Sequence, residues 1–184
     1  MEPLVKAKDL ELSWVQPRAT RRNFILKSGE RIFGQLEFRS DFNSLADASS
    51  ADEAWTFEQA GFFSPQITVR RAGSEIDLVN CQPNWIGTES EIKFSGGEMY
   101  LWRVTDFWAT RHSLSNGDGI ELVALRSGSG EKVISNLFKQ QAQVHITLEA
   151  WQLVELPLLV LLGWYLVLQQ QSDSAALAIV GAMG

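Results

Sequence analysis

Hydrophobic and polar residues alternate along most of the first 150 positions. The alternation is plainest in AQVHITLE, where Val144, Ile146 and Leu148 share one face and Gln143, His145, Thr147 and Glu149 the other. The same two-residue period groups Leu10, Leu12 and Trp14, then Ile32, Leu36 and Phe38, and continues through Ile92 and Phe94, Tyr100 and Trp102, and Ile120 and Leu122. Turn-forming clusters at Ser28-Gly29, Gly96-Gly97, Asn116-Gly117-Asp118-Gly119 and Ser127 to Gly130 separate the runs. The pattern predicts twelve strands, at about residues 10–16, 22–28, 31–39, 54–60, 65–71, 75–80, 89–95, 98–105, 107–113, 119–126, 132–136 and 142–149. The small, polar run from Asp41 to Glu53 reads as the longest loop and as a mobile one.

The alternation stops at ELPLLVLLGWYLVLQQQ. From Leu156 to Leu168 every residue except Pro157 and Gly163 is large and apolar, so a helix here has no polar face. Thirteen helical residues rise about 20 Å, short of the roughly 30 Å of a bilayer's hydrocarbon. Such a segment belongs inside its own domain. Pro157 lacks a donor and fits only a first turn, which places the core helix at about 155–170. The tail, 172–184, is expected to add a closing strand or to fray.

The two patterns combine into one architecture. An eight-stranded barrel is filled by its own inward side chains, whereas twelve strands leave a hollow about wide enough for a helix of 10–12 Å diameter. The expectation is a single domain over 1–184, all-β dominated, with about twelve antiparallel strands closed around a buried C-terminal hydrophobic helix. At 184 residues, 45% hydrophobic, the chain can bury such a core without staples.

Composition narrows the function classes. One cysteine, Cys81, excludes an intramolecular disulfide, and no apolar run follows a basic start in MEPLVKAKDLEL, so a cytoplasmic location is expected, with membrane-peripheral attachment open. A net charge of −6 argues against nucleic acid as a partner. The charge is uneven: residues 1–40 hold eight Lys/Arg against five Asp/Glu, and 41–184 hold eight against seventeen. The N-terminal quarter is thus the part suited to an anionic partner, although an ordinary solvated face also accounts for it.

No residues with standard catalytic spacing are present. His112, His145 and Cys81 form no metal or nucleophile motif, and neither metal nor cofactor is expected; an enzyme is the class with least support. His145 falls on the polar face of its strand. His112 shares a face with Trp108 and Thr110 on strand 107–113 and reads as a barrel-interior residue with a satisfied hydrogen bond. The seven tryptophans, Trp14, Trp55, Trp85, Trp102, Trp108, Trp151 and Trp164, suit packing between wall and helix, the alternative being an aromatic-lined pocket for an acyl chain or an interfacial belt. The candidate ligand-binding set is basic: Arg70 and Arg71 at one strand end, and Lys93, Arg103 and Arg111 on three consecutive strands, where they could meet lipid phosphates. Glu89, Glu91, Glu98 and Asp106 lie close enough in sequence to neutralise part of that patch.

The segments FILKSGERIFGQLEF (Phe24 to Phe38), EAWTFEQAGFF (Glu53 to Phe63) and ELPLLVLLGWYLVL, with the order of elements, resemble the Tubby C-terminal-like superfamily, which includes LURP-one-related proteins and phospholipid scramblases. The resemblance is to a bacterial-type member. It implies a twelve-stranded barrel around a hydrophobic helix and, for some relatives, lipid-linked roles. The paired basic residues with which Tubby domains hold phosphoinositides have no residue-by-residue counterpart here, and the scramblases' cysteine-rich and calcium-binding segments are missing. The leading expectation is a non-catalytic binding or scaffold module for anionic lipid head groups or a protein partner, without an integral membrane span. The alternatives are an intracellular carrier of an apolar ligand, which needs the helix outside the barrel, or a protein anchored by its C-terminal hydrophobic segment.

Overall fold

A computed structural model describes residues 1–40, 43–61, 65–84, 87–128 and 140–182, with side chains to Ser174. Twelve antiparallel strands form a closed barrel in which every strand pairs with its sequence neighbours and β1 (Leu12–Val15) closes on β12 (Gln141–Ile146). Between them run β2 (Asn23–Ser28), β3 (Arg31–Phe38), β4 (Ala46–Ser49), β5 (Ala54–Ala60), β6 (Gln66–Arg71), β7 (Asp77–Pro83), β8 (Glu89–Phe94), β9 (Met99–Val104), β10 (Arg111–Asn116) and β11 (Glu121–Ser127). The helix α1 (Leu156–Ala182) runs up the barrel's centre, with Leu156 and Leu158 to Leu168 buried. Closure leaves no unpaired sheet edge.

Aromatic side chains lock wall to helix. Trp164 stacks on Trp14, ring centroids 5.9 Å apart, and receives the edge of Phe24 at 5.7 Å. Tyr165 stacks on Phe38 at 5.7 Å, meets Phe57 edge-on at 5.3 Å, and donates its hydroxyl to the Ser44 carbonyl at 2.8 Å. Two glycines set the helix's closeness to the wall: a Cβ on Gly34 would sit 3.3 Å from Leu161 Cδ2, and one on Gly163 would sit 3.2 Å from Leu125 Cδ1.

Several expectations from the periodicity are corrected. The supposed loop 41–53 contains β4, whose inward residues Ala46 and Ala48 are small because Phe38 and Phe57 flank Ala46, and Leu36 and Trp55 flank Ala48. A register shift between Leu26 and Lys27 lets Phe33, not Ile32, turn into the core. The strand expected at 107–113 starts at Arg111, because Asp106 to Thr110 form a turn, and Trp108 is exposed instead of packed with His112. Leu10, Ile120 and Leu148 lie outside their strands and are exposed. The tail as far as Ala182 adds no strand but continues α1. The strand expected at 132–136, and Trp85, lie outside the described residues.

Candidate functional site

In an up-and-down barrel the connections alternate between two ends. The β4–β5 and β8–β9 turns surround the first turn of α1. At the opposite end the β7–β8, β9–β10 and β11–β12 connections surround residues 169–174, where α1 leaves the barrel. The connections at the helix-start end bear Glu30, Asp52, Glu53, Glu75, Glu98, Asp118, Glu149 and Glu155. At the helix-exit end the described connections carry Arg18, Arg21, Arg22 and Arg39 against Asp106. Arg39 pairs with Asp47, and the Arg22 guanidinium lies 3.7 Å over the Phe38 ring. Arg18 and Arg21 are exposed, and their side chains have no partner among the described residues. Gln16 holds their loop by donating to the Arg21 carbonyl at 2.8 Å and accepting from the Gln140 amide at 3.1 Å.

The β9–β10 turn projects two aromatics from this end. Phe107 is 91% exposed and Trp108 79%, and they contact each other edge to face at 5.2 Å. Asp106 holds the turn from inside: Oδ1 accepts from the backbone N–H of Thr110 at 2.8 Å and of Arg111 at 2.7 Å, while Oδ2 accepts from Thr110 Oγ1 at 2.6 Å. The Thr110 hydroxyl above all keeps the Asp106 carboxyl below its usual range. Ala109 takes φ 52°, the left-handed region that costs an L-residue about 1–2 kcal/mol. Two large apolar side chains are thus held in solvent by a capped, strained turn.

At the same end lies a cavity of about 360 Å³ between the barrel wall and the helix exit. Ile67, Trp102 and Leu166 form its apolar part; Gln59, Asn84, Ser90, Gln169, Gln170 and Asp173 are its polar lining. Gln59 donates a hydrogen bond to Asp173, but burial outweighs it and raises that carboxyl's pKa. Burial raises the pKa of the Tyr165 hydroxyl, opposed by its hydrogen bonds to Ser44 and Gln169. Trp102 Nε1 is buried without a partner.

His112 is fully buried, as the sequence suggested, stacked on Trp102 at 5.3 Å with Nε2 donating to Gln170 Oε1 at 3.1 Å. Its Nδ1 has no partner. Burial, opposed by the Gln170 bond and the Asp106 carboxylate, holds the imidazole below its usual pKa. Burial pushes the Cys81 thiol up to about 12, so it carries no thiolate at neutral pH. His145 is exposed on the outer wall.

Four of the five basic candidates sit on the outer wall, Arg71 lies at the helix-start mouth of the barrel opposite the buried Trp55, and each of the five is in an ion pair. Arg70 pairs with Asp77 at 2.7 Å, Arg71 with Glu53 at 3.3 Å, Lys93 with Glu91 at 2.7 Å, Arg103 with Glu89 at 2.7 Å and Arg111 with Glu121 at 2.9 Å. Strands β8, β9 and β10 are neighbours, but Lys93 lies opposite Met99 whereas Arg103 lies opposite Glu89, about 13 Å along the strand. The features the sequence reading missed are Phe107, Trp108 and the glutamines of α1. The signal available was DFWAT, an Asp four residues before a Thr with two aromatics between them.

Comparison of the chain with protein-family models, curated proteins and solved structures gives no match. Among the described residues no helix is long and apolar enough to cross a membrane, and no three His, Cys, Asp or Glu side chains gather as metal ligands.

Proposed function

We propose that this protein is a non-catalytic barrel module that docks reversibly on membranes containing anionic lipid through the helix-exit end. The observation that carries the reading is the Phe107–Trp108 pair, held in solvent on a rigid turn at the end where α1 emerges. Aromatic side chains favour the headgroup boundary of a bilayer, with an apolar body and, for Trp, a polar tip. After Asp173 the sequence has no charged residue, and its helical part reads AALAIVGA, so a second apolar element leaves the same end. Arg18 and Arg21 supply charge of the sign that anionic headgroups attract, worth about 1 kcal/mol each near such a surface. The carboxylates at the opposite end turn the molecule's field the same way. The order of elements supports placing the chain beside the Tubby C-terminal-like proteins. The lipocalin-like carrier has less support, because the barrel's centre is filled by Leu156 to Leu168.

Flotation of the full chain with vesicles tests the reading. Vesicles of phosphatidylcholine with 30% phosphatidylserine should carry the protein upward at low salt, and pure phosphatidylcholine should carry much less, roughly thirtyfold for two such charges. No flotation on either vesicle would reject membrane docking in favour of a protein partner.

A further inference from the structure

Beyond docking on lipid, we propose that one half of the helix-start rim, from the β6–β7 turn round to the β12–α1 connection, is a docking surface for a basic, amphipathic segment of another protein. Four successive connections there each set a large apolar side chain beside a carboxylate. The couples are Glu75 with Ile76, Glu98 with Met99, Asp118 with Ile120 and, twice on the last connection, Leu148 with Glu149 and Val154 with Glu155. The five apolar members are between 50% and 90% exposed.

Exposed apolar residues scattered singly need no partner, but these are gathered. Outside the N-terminal segment and the β9–β10 turn, every exposed large hydrophobic among the described residues lies on this half of the rim. The β2–β3 and β4–β5 turns, at the same end, bear carboxylates and no such side chain. Strands β6 to β12 make up half of the twelve-strand ring, so the apolar side chains frame one side of the barrel's end around the start of α1.

Charge selects the partner. Among the described residues none of Glu75, Glu98, Asp118, Glu149 and Glu155 is in an ion pair. Arg71 is held by Glu53 and Lys93 by Glu91, and the N-terminal segment that bears Lys6 and Lys8 is bonded at Glu2 to β3, on the other half of the ring. A basic segment is attracted to such a surface, whereas nucleic acid and anionic bilayers are repelled. Between the β4–β5 and β8–β9 turns and the first turn of α1 lies a cavity of about 480 Å³, with Leu78, Phe94 and Pro157 as apolar wall and Glu98 and Glu155 on it. The two carboxylates act on one place: after burial, Glu155 and Glu98 raise the Tyr100 phenol above its usual range. A lysine or arginine of the partner fits the cavity with its stem on the apolar wall and its charge toward these carboxylates. A second copy is a poorer occupant, because seating its helix-exit end here would chain copies head to tail without closure.

Fluorescence anisotropy of labelled peptides titrated with the full chain, without vesicles, tests this. The probes are peptides of about five helical turns: one with leucine and lysine on opposite faces, one with glutamate in place of the lysine, and one with serine in place of the leucine. The leucine–lysine peptide should bind, and the other two at least about tenfold more weakly. Ile76→Ser with Leu148→Ser and Val154→Ser should weaken it about tenfold while the melting temperature hardly moves, since all three side chains are exposed. Glu98→Gln with Glu155→Gln should weaken it and flatten its salt dependence. Phe107→Ser with Trp108→Ser, at the opposite end, should bind like the parent. Failure of the leucine–lysine peptide to bind, equal binding of either control peptide, or both rim variants binding like the parent would overturn the proposal. So would an equal loss in the Phe107 and Trp108 variant, or sedimentation showing that the rim serves the chain's own self-association. Vesicle flotation can succeed or fail separately, because it reads the other end of the barrel.

Discussion

The two ends of this barrel are closed by the same kind of connection and yet differ in almost everything a partner would meet. At the helix-start end the turns carry carboxylates and α1 begins against them, its positive dipole end among negative charges. At the helix-exit end the turns carry arginines, two exposed aromatics and a cavity, and the helix runs outward. The inward positions that build the barrel do not demand this asymmetry, because burial fixes alternate residues along the strands and leaves the turns free. Chemistry that the core does not require, concentrated at one end, is where function is best sought.

The comparison depends on a core that holds both ends on one rigid axis. Its most damaging disruption is Trp164→Ala, which removes the stack on Trp14 and the edge contact with Phe24. The loss should be about 3–5 kcal/mol, read as a fall in the denaturant midpoint. A loss under about 1 kcal/mol would mean the helix is not the keystone of the barrel.

Next in size is the test that separates the ends. Phe107→Ser with Trp108→Ser should lower vesicle affinity at least about tenfold, or 1.4 kcal/mol. Because both side chains are exposed, the melting temperature should hardly move. The matching change at the other end, Glu75→Ser with Asp118→Ser, should not weaken vesicle binding. Equal losses from both pairs would erase the distinction between the ends.

A smaller effect concerns pH. His112 has a folded pKa below its ordinary value, so the unfolded chain binds more protons as pH falls through about 6.5. Stability from the neutral, buried imidazole is therefore full above that pH and declines below it until the folded pKa is reached, by at most about 1.4 kcal/mol per pH unit. The neighbour Asp106, held low by its own bonds, stays charged throughout that range. Denaturation midpoints from pH 7.5 to 5 should slope downward in the parent and less in His112→Gln. Parallel slopes would assign the acid sensitivity to other groups.

How much of this was legible in the sequence follows from what burial does and does not specify. The all-apolar stretch Leu156 to Leu168 revealed the central helix because no outer position could tolerate it, and alternation revealed strands such as β12 and β9. β4 escaped because its inward residues are alanines, small only because aromatics on β3 and β5 fill the space beside them, a fact of pairing and not of local pattern. The twelve expected strands therefore match the observed number while missing β4 and including one, 132–136, that lies outside the described residues. Phe107 and Trp108 were hidden for the opposite reason: an apolar residue in a string reads as core until a turn such as that of Asp106 lifts it out. The cavity combines residues of β6, β9 and α1, and no spacing in the sequence encodes that meeting.

The smallest predicted effect concerns the wall. Arg103 and Glu89 pair across β9 and β8 at 2.7 Å, both well exposed, and such a pair contributes about 0.2–1 kcal/mol. Removing its acidic member, Glu89→Gln, should cost little stability and should free the guanidinium. If the barrel wall were the lipid-binding surface, an unpaired Arg103 beside Arg111 would strengthen binding to phosphatidylserine vesicles. If the helix-exit end is the surface, as its exposed aromatics argue, together with Arg18 and Arg21, which have no partner among the described residues, affinity should change by less than about twofold. Arg103 lies toward the helix-exit end of its strand, so any gain should be compared with Glu91→Gln, which frees Lys93 farther along the wall. A gain from both substitutions would move the binding surface onto the wall, and a gain from neither leaves it at the end where the helix emerges.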